Sequence, residues 1–147
     1  MVAAFGAAGR EFDLRPGFYY CILDPHNEGI FDWNAMILDR YYDLIRHHIT
    51  ELHTTYPYTF YQLFGITWKV TPAQRWELYR LVKKLSPDCM VVCNQGFDQS
   101  RCNQGRIGEP ASWQSEVING EDTLPPGGGH DPHVHFDYKD YYMPFET

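Results

Sequence analysis

Between residues 14 and 95, short, continuously apolar runs alternate with stretches in which apolar residues recur every three or four positions. "LRPGFYYCILD" (Leu14–Asp24), introduced by a Pro-Gly turn, predicts a buried strand. Ile37, Tyr41, Leu44, Ile45, His48 and Leu52 then fall at helical spacing. They predict an amphipathic helix from Trp33 to about Tyr56, which Pro57 ends. "YTFYQLFGI" (Tyr58–Ile66) predicts a second strand. Thr71 as N-cap, Pro72 at the first helical position and Gln74 closing a capping box predict a helix start. Leu78, Leu81, Val82 and Leu85 supply that helix with its apolar stripe. "CMVVC" (Cys89–Cys93) predicts a third strand, short and hydrophobic.

Strand, helix, strand, helix, strand with continuous apolar strands implies an α/β fold: a βαβαβ core on a parallel sheet. The pattern predicts a single domain over 1–147, with the core at 1–95 and a loop- and strand-rich functional tail at 96–147. Pieces such as "HVHFDYKDYYM" are strand-like, and a tail of that length inside a compact domain usually carries function. Three parallel strands protect their edges poorly. Either self-association, as a homo-oligomer such as a dimer, or the tail returning as antiparallel strands would cover them.

Composition narrows the partners. Apolar residues make up 44% of the chain, aromatics 16% and charged residues 21%, which describes a globular chain. Eleven tyrosines and four tryptophans suit carbohydrate binding as well as a packed core. A net charge of −7 with no basic cluster gives nucleic acid nothing to attract. "MVAAFGAAGREF" has no basic n-region and too short an apolar run for a signal peptide, and no stretch is long enough to span a membrane, so a cytoplasmic location is expected. Cys21, Cys89, Cys93 and Cys102 lack zinc-ribbon spacing and read as reduced thiols, buried at Cys89 and Cys93.

The residues also carry a family likeness. "DLRPGFYYCILDPHNEG", "RYYDLIRHHITELHTTYP" and "RWELYRLVKKLSPDCMVVCNQGF" resemble a strand, the following helix and a later helix–strand segment of the catalytic barrel of family 29 glycoside hydrolases, the α-L-fucosidases. "SWQSEVINGEDTLPP" and "YYMPFET" resemble a bacterial branch of the same kind. The likeness spans most of Phe12–Thr147 and implies a partial (β/α)8-barrel-like sheet, a barrel fragment. In the family, the strand after the first of these helices ends in "WFDG", whose aspartate is the nucleophile. Here that strand reads "YQLFGITW", with Gly65 where the aspartate would stand. Retaining hydrolysis needs two carboxyls roughly 5 Å apart. The resemblance therefore implies altered or weak glycosidase activity, with Glu109, Glu116 and Glu121 as candidate acid/base groups.

Two further groupings could carry chemistry. On an extended segment residues two apart point the same way, so His133, His135 and Asp137 of "HDPHVHFD" would share a face, with His130 reaching in from the preceding turn. That donor set suits zinc or another divalent ion, which would generate hydroxide near neutral pH; the same histidines would also serve as hydrogen-bonding groups in a sugar-binding loop. "DPHNEG" places Asp24, His26 and Glu28 after the first strand, where they could bind substrate hydroxyls, or simply form an Asp-Pro turn. Trp68 and Trp113 add aromatic faces suited to stacking on sugars. The sequence thus favours a hydrolase of glycosidase descent acting on a small-molecule or carbohydrate substrate. The alternatives are a small divalent-metal hydrolase of activated esters or phosphoesters, and a non-catalytic carbohydrate-binding module.

Overall fold

The computed structural model describes residues 2–24, 26, 35–93, 116–119, 133–136, 139–142 and 145–146, and from residue 118 onward it is the backbone that is described. Three parallel strands form the central sheet in the order β1 (Gly17–Cys21), β2 (Tyr61–Gly65), β3 (Met90–Cys93). β2 is central, with Gly17 opposite Tyr61, Cys21 opposite Gly65, and Phe64 opposite Cys93. The predicted strands are longer than those observed because their flanks are turns. Leu14–Pro16 and Tyr58–Phe60 fall inside the predicted strands but lie outside the ladder.

A helix the apolar periodicity does not announce comes first, α1 (Val2–Glu11). "VAAFGAAGRE" has no polar face to create a period, yet alanine is the best helix former. Gly6 is its contact point, since a Cβ there would meet the Tyr58 hydroxyl and approach Tyr56 Cδ1 to 3.4 Å.

The next helix, α2 (Asp39–Thr55), begins later than the spacing predicts, because residues 35–38 are non-helical. Its buried stripe is Tyr41, Tyr42, Ile45, Ile49 and His53. His48 is a correction: expected on the apolar side, it is exposed on the flank, and His53 takes the buried place. A stripe stepping 41, 45, 49, 53 explains this, since His48 lies one position off the line.

The helix α3 (Pro72–Leu85) starts as the sequence predicts: the Gln74 amide donates to Thr71 Oγ1 at 3.2 Å, and the Thr71 amide donates to Gln74 Oε1 at 2.9 Å. α2 and α3 pack on one face of the sheet through Ile45, Ile49, Leu78, Val82, Phe64 and Val91. Each such side chain contributes about 1.5–3 kcal/mol by leaving water. Tyr42 ties the helices together, its hydroxyl reaching Gln74 O at 3.0 Å and Glu77 Oε2 at 2.9 Å. Beside it, Arg46 Nε meets Glu77 Oε1 at 2.9 Å.

The tail contributes short strands: β4 (Ile118–Asn119) parallel to β7 (Phe145–Glu146), and β5 (His133–Phe136) antiparallel to β6 (Lys139–Tyr142). The second pair matches the strand-like reading of "HVHFDYKDYYM". Cys21, Cys89 and Cys93 are free thiols, the last two buried, and Cys102 lies outside the described residues. Among the described residues, no helix is long and apolar enough to cross a membrane.

Candidate functional site

Parallel sheets expose ligand sites beyond the C-terminal ends of their strands. In this sheet those ends are Cys21, Gly65 and Cys93, and Gly65 is the central one. Tyr19, two residues before the partner of Gly65, shares its face of the sheet by strand alternation. A Cβ built on Gly65 would collide with the Tyr19 hydroxyl and lie 2.6 Å from its Cζ. The phenol therefore lies across the end of β2, where a larger residue would put its side chain. Tyr19 is nonetheless 59% exposed, so its ring also faces outward.

The chain leaves Gly65 through a strained turn. Ile66 has φ 60 and ψ 42, a left-handed conformation that a β-branched residue rarely adopts. A single 3-10 turn, Thr67–Lys69, follows. It carries Trp68, half-buried, and Lys69, which is almost fully buried. Arg75, one turn into α3, reaches back so that Nη1 donates to Thr67 O at 2.9 Å and Val70 O at 2.8 Å. Cys93 sits beside it, and burial pushes its thiol up to about 12, against the pull of Arg75.

Past β1, Asp24 Oδ1 accepts from the His26 amide at 3.0 Å, the local side-chain-to-backbone bond that aspartate favours in turns. Asp24 is half-buried and His26 exposed, both past the C-terminal end of β1. Tyr20 points to the helix side and donates to His48 Nδ1 at 2.8 Å. Burial, with Asp24 and Cys21 adding, raises the Tyr20 phenol to about 12, so it holds its proton and His48 accepts.

Glu116 lies at the other end of the sheet. Its carboxylate meets Lys83 Nζ at 3.1 Å and accepts from the Val91 amide at 2.7 Å, while its own amide donates to Val91 O at 2.8 Å. It thereby occupies both backbone groups of Val91, as a neighbouring strand would. Glu109, Glu121, Glu28, Trp113, His130 and Asp137 lie outside the described residues. His133 and His135 occupy alternate positions of β5, opposite Tyr142 and Asp140. Among the described residues, no group of three or more metal-ligating side chains comes together.

One polar constellation had no sequence signal. His53, Gln62 and Ser86 are buried and joined, His53 Nδ1 to Ser86 Oγ at 3.0 Å and Nε2 to Gln62 Oε1 at 3.1 Å. Gln62 Nε2 donates to Leu63 O at 3.1 Å, so its oxygen faces His53 and accepts from Nε2–H. Nδ1 then accepts from the serine hydroxyl. The order Ser–His–Gln has the connectivity of a nucleophile relay, but Ser86 is 1% exposed and closes the C-terminus of α3, which makes this a structural clasp.

No family model and no curated protein matches the chain. Solved structures do. A bacterial fucosidase with a monovalent iminocyclitol inhibitor aligns with a TM-score of 0.64 at 16% identity, over 86% of this chain and 31% of that one. A bacterial fucosidase with a pyrrolidine–triazole inhibitor aligns with a TM-score of 0.54 at 17% identity, over 61% of this chain and 22% of that one. The fold is thus fucosidase-like, and the chain spans less than a third of either structure.

Proposed function

We propose that the chain is a carbohydrate-active unit of glycosidase descent, built on part of an α-L-fucosidase-like barrel, with altered or weak glycoside hydrolysis. The observation that carries this reading is the end of the central strand. Gly65 offers no carboxylate, and the Tyr19 phenol lies across it. A sugar ring would stack on exposed aromatic faces at this edge, and a retaining mechanism would lack its attacking oxygen there. Asp24, His26 and Trp68 stand past the C-terminal strand ends as hydroxyl-binding and stacking groups, with Glu28 and Trp113 proposed beside them. Glu116 is engaged with Lys83 and Val91 at the opposite end, which makes Glu109 and Glu121 the acid/base candidates of choice.

The test pairs aryl α-L-fucoside turnover with calorimetric binding of fucose. The reading expects saturable binding, weakened at least tenfold by Tyr19→Ala, with turnover slow or undetectable. Absence of both binding and turnover overturns it. A second reading, a divalent-metal hydrolase of activated esters or phosphoesters, draws support from His133 and His135 at alternate positions of one strand. It expects stoichiometric zinc or another divalent ion in purified protein and esterase activity lost on chelation; metal-free protein with unchanged activity would rule it out.

A further inference from the structure

The turn between β2 and α3 is capped by the guanidinium of Arg75, which among the described residues has no ion-paired carboxylate. Arg75 is 3% exposed, and among the described residues no acidic side chain forms an ion pair with it. Its Nη1 is spent on two carbonyls, but its Nε–H is buried without a partner. Thr67 Oγ1 is in the same condition, in a residue that is 0% exposed. The two orphaned donors belong to residues already in contact, since the Thr67 carbonyl is one of the acceptors of Arg75. The turn follows the C-terminal end of the central strand, where parallel sheets place ligands.

A buried charge without a counterion is strongly disfavoured, and so is a buried donor without an acceptor. Among the described residues the titratable neighbour acting on Arg75 is Cys93, which burial keeps as a neutral thiol. A water molecule could accept from both orphaned donors, but it would leave the charge unbalanced. A small anion answers both demands at once. A bulky oxyanion such as phosphate would need a wide opening, and both donor atoms are shut away from solvent.

We propose that the turn from Ile66 to Val70, with Arg75 of α3, binds one small monoanion, a halide or the carboxylate of a small organic acid, held by Arg75 Nε–H and Thr67 Oγ1–H. The left-handed Ile66 sets the direction in which the chain leaves β2 and so positions Thr67 against Arg75. This site stands independently of any activity on sugars.

The experiment follows the Arg75 Nε–Hε resonance of the full chain by 15N NMR in a sulfonate buffer, titrated separately with chloride and with acetate. A saturable shift with either anion, weakened at least tenfold in Thr67→Val, with the accompanying shift of the Thr67 backbone amide lost in Arg75→Lys, is the expected result. Response to chloride alone assigns an inorganic ion; a tighter response to acetate assigns the carboxylate of an organic ligand. If neither anion gives a saturable shift in the unaltered chain, or if Thr67→Val binds as tightly, the proposal falls. The unaltered chain provides a readout that does not depend on either variant folding.

Discussion

The two ends of one small sheet are built to opposite standards. At the N-terminal end most described polar groups around the strands are matched, the buried Tyr58 hydroxyl excepted. The Met90 amide donates to Phe60 O at 2.6 Å and the Phe60 amide to Pro16 O at 2.9 Å. Glu116 closes over Val91, and His53, Gln62 and Ser86 form a continuous buried chain. At the C-terminal end the central strand finishes in a glycine with a phenol lying on it, followed by a left-handed isoleucine. There a hydroxyl and a guanidinium N–H are left without acceptors. Matched polar networks gather at one end, while two of the three unpartnered buried side-chain atoms among the described residues lie at the other, the bias expected when one end of a sheet serves ligands.

The largest effect that would break this contrast lies in the buried clasp. Gln62→Leu removes the acceptor of His53 Nε2–H and strands a buried donor, and we expect a loss of about 2–3 kcal/mol in urea unfolding. Burial also lowers the His53 pKa below its ordinary value, so the unfolded chain binds more protons once the pH falls under about 6.5. The contribution of His53 is then fully present above that pH and declines toward acid, at up to about 1.4 kcal/mol per pH unit. Unfolding measured from pH 8 to pH 5 should show the slope, and His53→Gln should flatten it.

Next in size is the opposite end. Gly65→Asp drives a side chain into Tyr19 and should destabilise by about 1–3 kcal/mol, with most of that recovered in Gly65→Asp/Tyr19→Ala. A double-mutant cycle that adds without coupling would remove Tyr19 from its assigned place over Gly65. Smaller is Glu116→Gln, which weakens the partly exposed bond to Lys83 while keeping an oxygen for the Val91 amide. A loss of about 1 kcal/mol is expected, shrinking in high salt. Smallest is Ile66→Gly. Release of the left-handed strain, about 1–2 kcal/mol, offsets the loss of a half-buried side chain, so a net change under about 1 kcal/mol should appear.

What could be read from the chain itself follows the same division. Thr71, Pro72 and Gln74 announced α3 because a capping box is a purely local bargain among adjacent residues. "CMVVC" and "YQLFG" were legible as strands because burial on both faces leaves a continuous apolar run. α1 was missed because alanine and glycine create no polar face. His53 looked polar and was overlooked in favour of His48, since its burial depends on Gln62 and Ser86, nine and thirty-three positions away. Gly65 could be singled out through a family likeness, but the ring that fills its space could not. Tyr19 reaches it only through pairing between strands forty-four residues apart in sequence, as Cys21 meets Gly65 in the register. Arg75 gave no signal at all: in a helix rich in Arg and Lys, sequence alone does not tell which cation is buried.

The capping box has one more effect. Because Thr71 and Gln74 lock the first turn of α3, and the Arg75 amide itself bonds to Thr71 O at 2.9 Å, the helix start cannot slide by a residue to absorb a change in the segment before it. The stretch from Gly65 to Pro72 therefore acts as a ruler of fixed length. One residue added or removed there would displace the turn relative to the guanidinium by up to about 3.8 Å. Substitutions along this stretch are tolerable in kind, but its length is not free to drift.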